Sequence, residues 1–94
     1  MFTDSEVVLL LECTDLYREN VFAPFSFDLG LALFESCSRK LKTITALTFF
    51  SKQEFTFLSF AVNFEISFFE NSGAPAPDSL YDLFLKIQKL NPAV

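Results

Sequence analysis

Two pairs of carboxylates come closer to a catalytic site, in residue type and spacing, than any other side chains in this sequence. Asp15 and Glu19 are four residues apart, and so are Asp78 and Asp82, which puts each pair one turn apart on a helix. General acid–base catalysis needs one buried carboxyl group with a raised pKa beside another that stays ionised. Both pairs belong to segments whose other side is apolar, so their carboxylates are expected to face solvent. We therefore predict that the protein is not an enzyme.

The residue types that build most other active sites are scarce in the chain. It has no histidine, the side chain best suited to proton transfer near neutral pH and a common zinc ligand. Cys13 and Cys37 do not form a C-x-x-C pair, and Gly30 and Gly73 are isolated, so no phosphate-binding glycine loop can form. The sequence predicts no cofactor and no metal site, and it predicts that both cysteines are buried and reduced.

Charge is distributed unevenly along a chain whose net charge is −5. Residues 1–35 carry seven acids against Arg18 alone, residues 36–60 carry four bases against one acid, and residues 61–94 carry four acids against two bases. An acidic protein is repelled by phosphate backbones and by anionic lipid. We therefore expect no nucleic-acid partner, regard a membrane partner as disfavoured, and expect a protein partner with a basic surface.

The length and composition predict one domain, 1–94, with an excess of apolar surface. The 94 residues are 51% hydrophobic and include 14 phenylalanines, with a mean hydropathy of +0.36. A small domain has much surface for its volume, so part of this apolar area is expected to be covered by a partner. The start "MFTDSE" is acidic where a secretory signal would be basic, and we expect an intracellular, cytoplasmic protein. Residues 70–77, "ENSGAPAP", are predicted to be a linker.

Three helices are predicted, at 4–19, 28–41 and 78–90. Thr3 and Glu6 fit a capping box at the start of the first helix, and apolar residues then recur at three-and-four spacing. The run "VVLLL" leaves a buried strand as the alternative at the start of this segment. The last helix is followed by "NP", a typical stop signal.

Two or three strands are predicted between and beside these helices. Residues 58–68 alternate strictly, with apolar side chains at every even position, and a period of two is typical of a strand with one buried face. The chain is therefore expected to form an antiparallel hairpin from strands at 43–50 and 55–69, joined by "SKQE". A possible edge strand lies at 21–27, where Pro24 excludes a central position. The prediction is an α+β fold, a small sheet covered by the helices.

Two stripes of side chains are predicted to bind partners. The first is an acidic stripe on the first helix, and the second is an apolar stripe on the last helix. The acidic stripe consists of Glu12, Asp15 and Glu19, and the apolar stripe consists of Leu80, Phe84 and Ile87. An open sheet edge and the last helix would also favour self-association, most simply as a homodimer.

The function predicted from these features is a small acidic protein-interaction module, such as an adaptor, accessory subunit or inhibitor. The high apolar content leaves a peripheral membrane protein, or a small subunit of a membrane complex, as the alternative.

Overall fold

Four α-helices make up the fold, and a computed structural model describes them within residues 2–19, 26–45 and 47–91. These ranges contain no strand. The helices are α1 (Asp4–Arg18), α2 (Phe27–Lys42), α3 (Lys52–Asn71) and α4 (Asp78–Leu90). The prediction of an α+β fold with a hairpin sheet is therefore wrong. The helices at 4–19, 28–41 and 78–90 correspond to α1, α2 and α4, each within one residue of the predicted bounds.

The segment predicted as a strand at 55–69 lies entirely inside α3. Ser51 is the N-cap of this helix: its hydroxyl accepts a hydrogen bond from the Glu54 N–H, at 3.1 Å, and Glu54 accepts one from the Ser51 N–H, at 2.7 Å. This is a capping box of the same kind as that formed by Thr3 and Glu6 before α1. The motif "SKQE", predicted to be a hairpin connector, is a helix start.

The alternation of apolar residues at 58–68 does not describe one face of a helix. Residues 58, 62 and 66 share a side of α3 and are buried, whereas residues 60, 64 and 68 lie on other sides and are half-buried or exposed. Odd positions complete the buried face, because Phe55, Phe57 and Ala61 are also buried. A helix with aromatic residues on several sides can therefore imitate the period of a strand.

In the segment predicted as a strand at 43–50, the described residues 43–45 and 47–50 lie between α2 and α3 and form no strand. Thr45 and Thr48 turn the chain: the Thr45 N–H donates to Thr48 Oγ1, at 2.8 Å, and the Thr48 N–H donates to the Thr45 carbonyl, at 3.1 Å. Threonine favours strands, but its hydroxyl also competes for backbone groups in turns. In this segment the turn is the outcome.

The possible edge strand at 21–27 falls mostly outside the described residues. Its last two residues belong to α2, because Ser26 is the N-cap and Phe27 is the first helical residue. The predicted linker at 70–77 is shorter than expected, since α3 continues to Asn71. Gly73 has φ +84° and follows the end of α3 in a Schellman arrangement, with the Ala74 N–H donating to the Phe69 carbonyl, at 3.2 Å.

Helix α3 lies at the centre of the fold and packs against each of the other three helices. At 20 residues it is about 30 Å long, and it contributes seven of its residues to the buried interior. All four helices supply side chains to one core, which includes Leu10 of α1, Leu41 of α2, Phe57 of α3 and Ile87 of α4. None of the helices in the described ranges has both the length and the hydropathy that a membrane span requires.

Candidate interaction surfaces

The predicted acidic stripe lies on the outward side of α1, with Glu19 at the C-cap of the helix. Glu12, Asp15 and Glu19 are all exposed, because the opposite side of the helix packs into the core through Leu10 and Tyr17. We call these three acidic residues the acidic face. Val8, one turn before Glu12, is 55% exposed and adds an apolar side chain beside it.

The ion pairs found among the described residues include none of the three acids of the acidic face. Arg18 is the only basic residue of the first third of the chain, and its guanidinium lies over the Phe34 ring of α2, 5.1 Å from the centroid. The two ion pairs among the described residues join Lys40 to Glu54 and Lys86 to Glu6. The acidic face therefore presents negative charge to solvent.

The predicted apolar stripe on α4 is mostly part of the core. Leu80 and Ile87 are 2% and 0% exposed, while Phe84 is half-buried and lines a groove on the α3 side of α4. Lys86, on another side of α4, bonds to Glu6 of α1, at 2.8 Å. The structure does not bring the acidic face and the apolar stripe together into one site, and only Phe84 of the stripe lies where a partner could touch it.

Comparison of the chain with protein families, with curated proteins and with solved structures gives no match. Its function is therefore inferred from its own residues.

The groove beside Phe84 has a volume of about 300 Å³ and lies between α3 and α4. Two side-chain hydrogen bonds join residues that line the groove. Gln88 Nε2 donates to Ser59 Oγ, at 2.8 Å, and Asn91 Nδ2 donates to Thr56 Oγ1, at 3.4 Å. The lining residues are all uncharged. They are Thr56, Ser59, Phe60, Asn63, Phe84, Gln88 and Asn91.

Sequence reasoning missed this groove because it assigned Phe60 to the inner face of a strand. Phe60 is 38% exposed on α3. Reading the segment with a helical period would have found it, since Phe60 is two residues from both Leu58 and Val62, which are buried, and so lies on a different side of the helix.

Both cysteines are buried and free, as predicted. The Cys13 thiol donates to Glu65 Oε2, at 2.6 Å. Burial, together with the Glu65 carboxylate, raises the pKa of the Cys13 thiol. Burial also raises the pKa of Cys37, to about 12, with a further contribution from Glu54. Because the thiolate is the reactive form, neither cysteine is set up as a nucleophile. The described residues also contain no group of three or more His, Cys, Asp or Glu that could hold a metal ion.

Glu54 is the centre of a buried polar cluster between α2 and α3. It is 4% exposed and accepts hydrogen bonds from Lys40 Nζ, at 2.6 Å, and Ser36 Oγ, at 2.5 Å, besides the one from the Ser51 N–H. Lys40 Nζ also donates to the Phe49 carbonyl, at 2.8 Å. Every partner belongs to α2 or to the chain just before α3, so the cluster joins these elements rather than forming an open site.

Charges are separated along α3. The last turn of α2, the first turn of α3 and the last turn of α4 come together at the N-terminal end of α3, as shown by the bonds from Lys40 to Glu54 and from Asn91 to Thr56. Five of the seven basic residues lie there: Arg39, Lys40, Lys42, Lys52 and Lys89. The C-terminal end of α3 and the start of α4 carry only acids: Glu65, Glu70, Asp78 and Asp82.

Proposed function

We propose that the protein is a small non-enzymatic interaction module, an adaptor, accessory subunit or inhibitor, that binds a basic surface of a partner protein through the acidic face of α1. The observation that carries this proposal is that the fold leaves Glu12, Asp15 and Glu19 exposed on one side of a helix while the only cation of that helix is engaged with Phe34. Val8 supplies an apolar contact within the same surface.

The acidic face would act mainly on the rate and selectivity of association. Clustered charge of one sign attracts a complementary surface and accelerates encounter, and it repels acidic proteins. Exposed charges are screened by salt over about 8 Å at physiological ionic strength. Binding to the partner is therefore expected to weaken as the salt concentration rises.

Neutralising the acidic face is expected to abolish capture of the basic partner. The triple variant Glu12→Gln, Asp15→Asn, Glu19→Gln keeps side-chain size and changes the net charge from −5 to −2. With the immobilised protein as bait in a cell extract, quantitative mass spectrometry should show that proteins of high isoelectric point are retained by the wild type and lost from the triple variant.

A matched control makes this test specific to the acidic face. Glu35→Gln, Glu70→Gln, Asp82→Asn makes the same change in net charge at exposed acids of α2, α3 and α4. It should retain the same basic partner as the wild type. Equal retention by the two triple variants, at either the wild-type or a reduced level, would contradict a role for the acidic face.

We also propose that the protein self-associates, through the groove between α3 and α4. The predicted route through a sheet edge does not exist in this fold, and the apolar stripe of α4 is largely buried. The groove offers uncharged amide, hydroxyl and phenyl groups, so two copies of an acidic protein can approach there with less repulsion than elsewhere.

Placing a charge in the groove is expected to weaken the dimer. Asn63 is exposed and lines the groove, so Asn63→Asp should leave the fold intact while setting like charges against each other across a symmetric interface. We expect the wild type to run as a dimer at tens of micromolar in size-exclusion chromatography with light scattering, and the dissociation constant of the variant to rise about tenfold.

The control for this variant is Gln53→Glu, which adds the same charge at an exposed position of α3 outside the groove. It should dimerise like the wild type. A wild-type protein of monomeric mass under these conditions would rule out self-association, and equal weakening by both variants would rule out the groove as the interface.

A further inference from the structure

Leu47 and Phe49, in the connection between α2 and α3, are the two most exposed large apolar side chains of the described residues. Leu47 is 93% exposed and Phe49 is 73% exposed. Their neighbour Phe50 is fully buried and packs its ring against Phe55, 5.7 Å away. The chain thus anchors itself in the core at Phe50 while it holds Leu47 and Phe49 out from the body of the protein. We call these two residues the apolar tip.

Several backbone groups around the apolar tip are hydrogen-bonded, either within the connection or to α2. The Leu47 N–H donates to Thr45 Oγ1, at 3.2 Å, and the Thr45 and Thr48 N–H groups have the turn partners described above. The Phe49 carbonyl accepts from Lys40 Nζ. A backbone group without a partner is costly to move out of water. These bonds reduce that cost, so the tip can enter a less polar medium.

Four exposed cations lie at the same end of the fold as the apolar tip. Arg39 and Lys42 lie in the last turn of α2, Lys52 begins α3, and Lys89 lies in the last turn of α4, which packs beside the start of α3. All four are exposed, and neither of the ion pairs found in the described part of the chain includes any of them.

Fewer unpaired acids than cations lie near the tip. Glu54 is bonded to Lys40 and Glu6 to Lys86. Two exposed acids lie outside both of these ion pairs: Asp4, at the start of α1, and Glu35, which is one turn before Arg39 on α2 and lines the same groove as Arg39 and Lys42. The acids of α3 and α4 that lack a basic neighbour lie at the opposite end of α3. The net charge of −5 therefore conceals a local excess of positive charge.

We propose that the apolar tip and its four cations form a docking site for an anionic membrane surface. Leu47 and Phe49 would enter the boundary between headgroups and acyl chains, and Arg39, Lys42, Lys52 and Lys89 would contact the anionic headgroups. Apolar side chains with cations at the same end of the fold match both parts of such a surface. A nucleic acid or the acidic end of a second copy would satisfy the cations but offers Leu47 no apolar layer to enter.

This inference goes beyond the proposed function and is independent of it. The acidic face lies on α1 and uses none of these residues. Negative charge at the far end of α3 would turn that end away from the membrane. A protein docked in this way would keep its acidic face available to a basic partner at the membrane surface.

Vesicle co-sedimentation of the full chain tests the proposal. The probes are vesicles of phosphatidylcholine alone and vesicles in which one third of the lipid is phosphatidylserine. Binding is expected only to the second kind, and it should fall with added salt. No difference between the two kinds of vesicle would overturn the proposal.

Two variants separate the apolar and the charged contributions. The apolar variant is Leu47→Ser, Phe49→Ser, and it should reduce partitioning at least tenfold. The charge variant is Arg39→Gln, Lys42→Gln, Lys52→Gln, and it should reduce partitioning about a hundredfold.

Each variant has a matched control. The apolar control is Phe68→Ser, Leu85→Ser, at side chains that are 56% and 58% exposed elsewhere on the protein. The charge control is Asn71→Asp, Ala74→Asp, Ser79→Asp, which reaches the same net charge of −8 through exposed positions at the acidic end. If a variant and its control lost vesicle partitioning equally, the proposed docking site would be wrong.

Insertion of the tip can be read directly by fluorescence. The chain has no tryptophan, so Leu47→Trp introduces a single reporter. Its emission should shift to the blue on addition of the phosphatidylserine vesicles, while that of Leu85→Trp should not. Two results would contradict the proposal. The first is a Leu47→Trp emission that does not shift when these vesicles are added. The second is a wild type that binds no vesicles, together with a loss of self-association or of nucleic-acid binding in the variant Leu47→Ser, Phe49→Ser.

Discussion

Replacing Phe57 with alanine is expected to lower the free energy of unfolding by about 3–5 kcal/mol. Phe57 is fully buried in α3, the helix that contacts all the others, and its ring lies 5.3 Å from that of Tyr17 in α1. Truncation would leave a cavity at this junction. Since native proteins are stable by only about 5–15 kcal/mol, a large part of the free energy of unfolding would be lost. Urea denaturation followed by far-ultraviolet circular dichroism measures the change.

Phe68 provides the matched control, because it is a phenylalanine of the same helix that is 56% exposed. Phe68→Ala removes the same atoms without opening a buried cavity, and it is expected to change the free energy of unfolding by less than about 1 kcal/mol. If the two variants were equally destabilised, the arrangement of α3 with Phe57 inward and Phe68 outward would be wrong.

The helices could be predicted from the sequence wherever their end signals and their apolar period agreed. The capping box of Thr3 and Glu6 indicates the start of α1. The apolar stripe that ends before Asn91 indicates α4. Helix α3 has an equally good start signal in Ser51 and Glu54. However, α3 carries phenylalanine on its outward as well as its inward sides. The resulting alternation of apolar residues predicted a strand, although the capping box correctly indicated a helix.

The acidic face was accessible to sequence reasoning for the same reason that α1 was. Its three acids recur at three-and-four spacing opposite the buried residues, and their exposure follows from the helix alone. The groove and the apolar tip depend on how helices pack and on a turn made by Thr45 and Thr48. No local pattern contains that information.

The separation of charge along α3 could be predicted only in part. The basic excess of residues 36–60 is visible in the sequence, but Lys89 joins it only because α4 runs back beside the start of α3. The net charge, from which a membrane partner looked unfavourable, averages over two ends that the fold keeps apart.

Replacing Lys40 with methionine is expected to destabilise the protein by about 2 kcal/mol at neutral pH. Lys40 is the only cation bonded to Glu54, whose side chain is 5% exposed. Its loss would leave a buried carboxylate with hydrogen bonds but without a counter-charge. The matched control is Lys42→Met, on the same helix but exposed and outside both ion pairs, and it should have little effect.

The pH dependence of this effect follows from the pKa of Glu54. Burial raises the pKa, but the hydrogen bonds from Lys40, Ser36 and the Ser51 N–H, together with the charge of Lys40, lower it more, so the pKa lies below its ordinary value of 4.5. A lowered folded-state pKa means that the carboxylate stabilises the fold above the unfolded-state pKa, and that this contribution is lost as the pH falls through the folded-state value. Lys40→Met removes much of that contribution. The difference in unfolding free energy between wild type and variant should therefore shrink as the pH is lowered from about 5 to 3.

Adding Glu54→Gln to Lys40→Met separates loss of the ion pair from loss of packing. Glutamine can still accept the Ser51 N–H in the capping box, but it carries no charge that needs compensation. The double variant is therefore expected to be more stable than Lys40→Met by about 1 kcal/mol at neutral pH. Because it has no carboxylate at position 54, its free energy of unfolding should also lack the pH dependence that Glu54 causes. If the double variant were the less stable one, the cost of Lys40→Met would come from lost packing of the lysine stem rather than from a buried, uncompensated carboxylate.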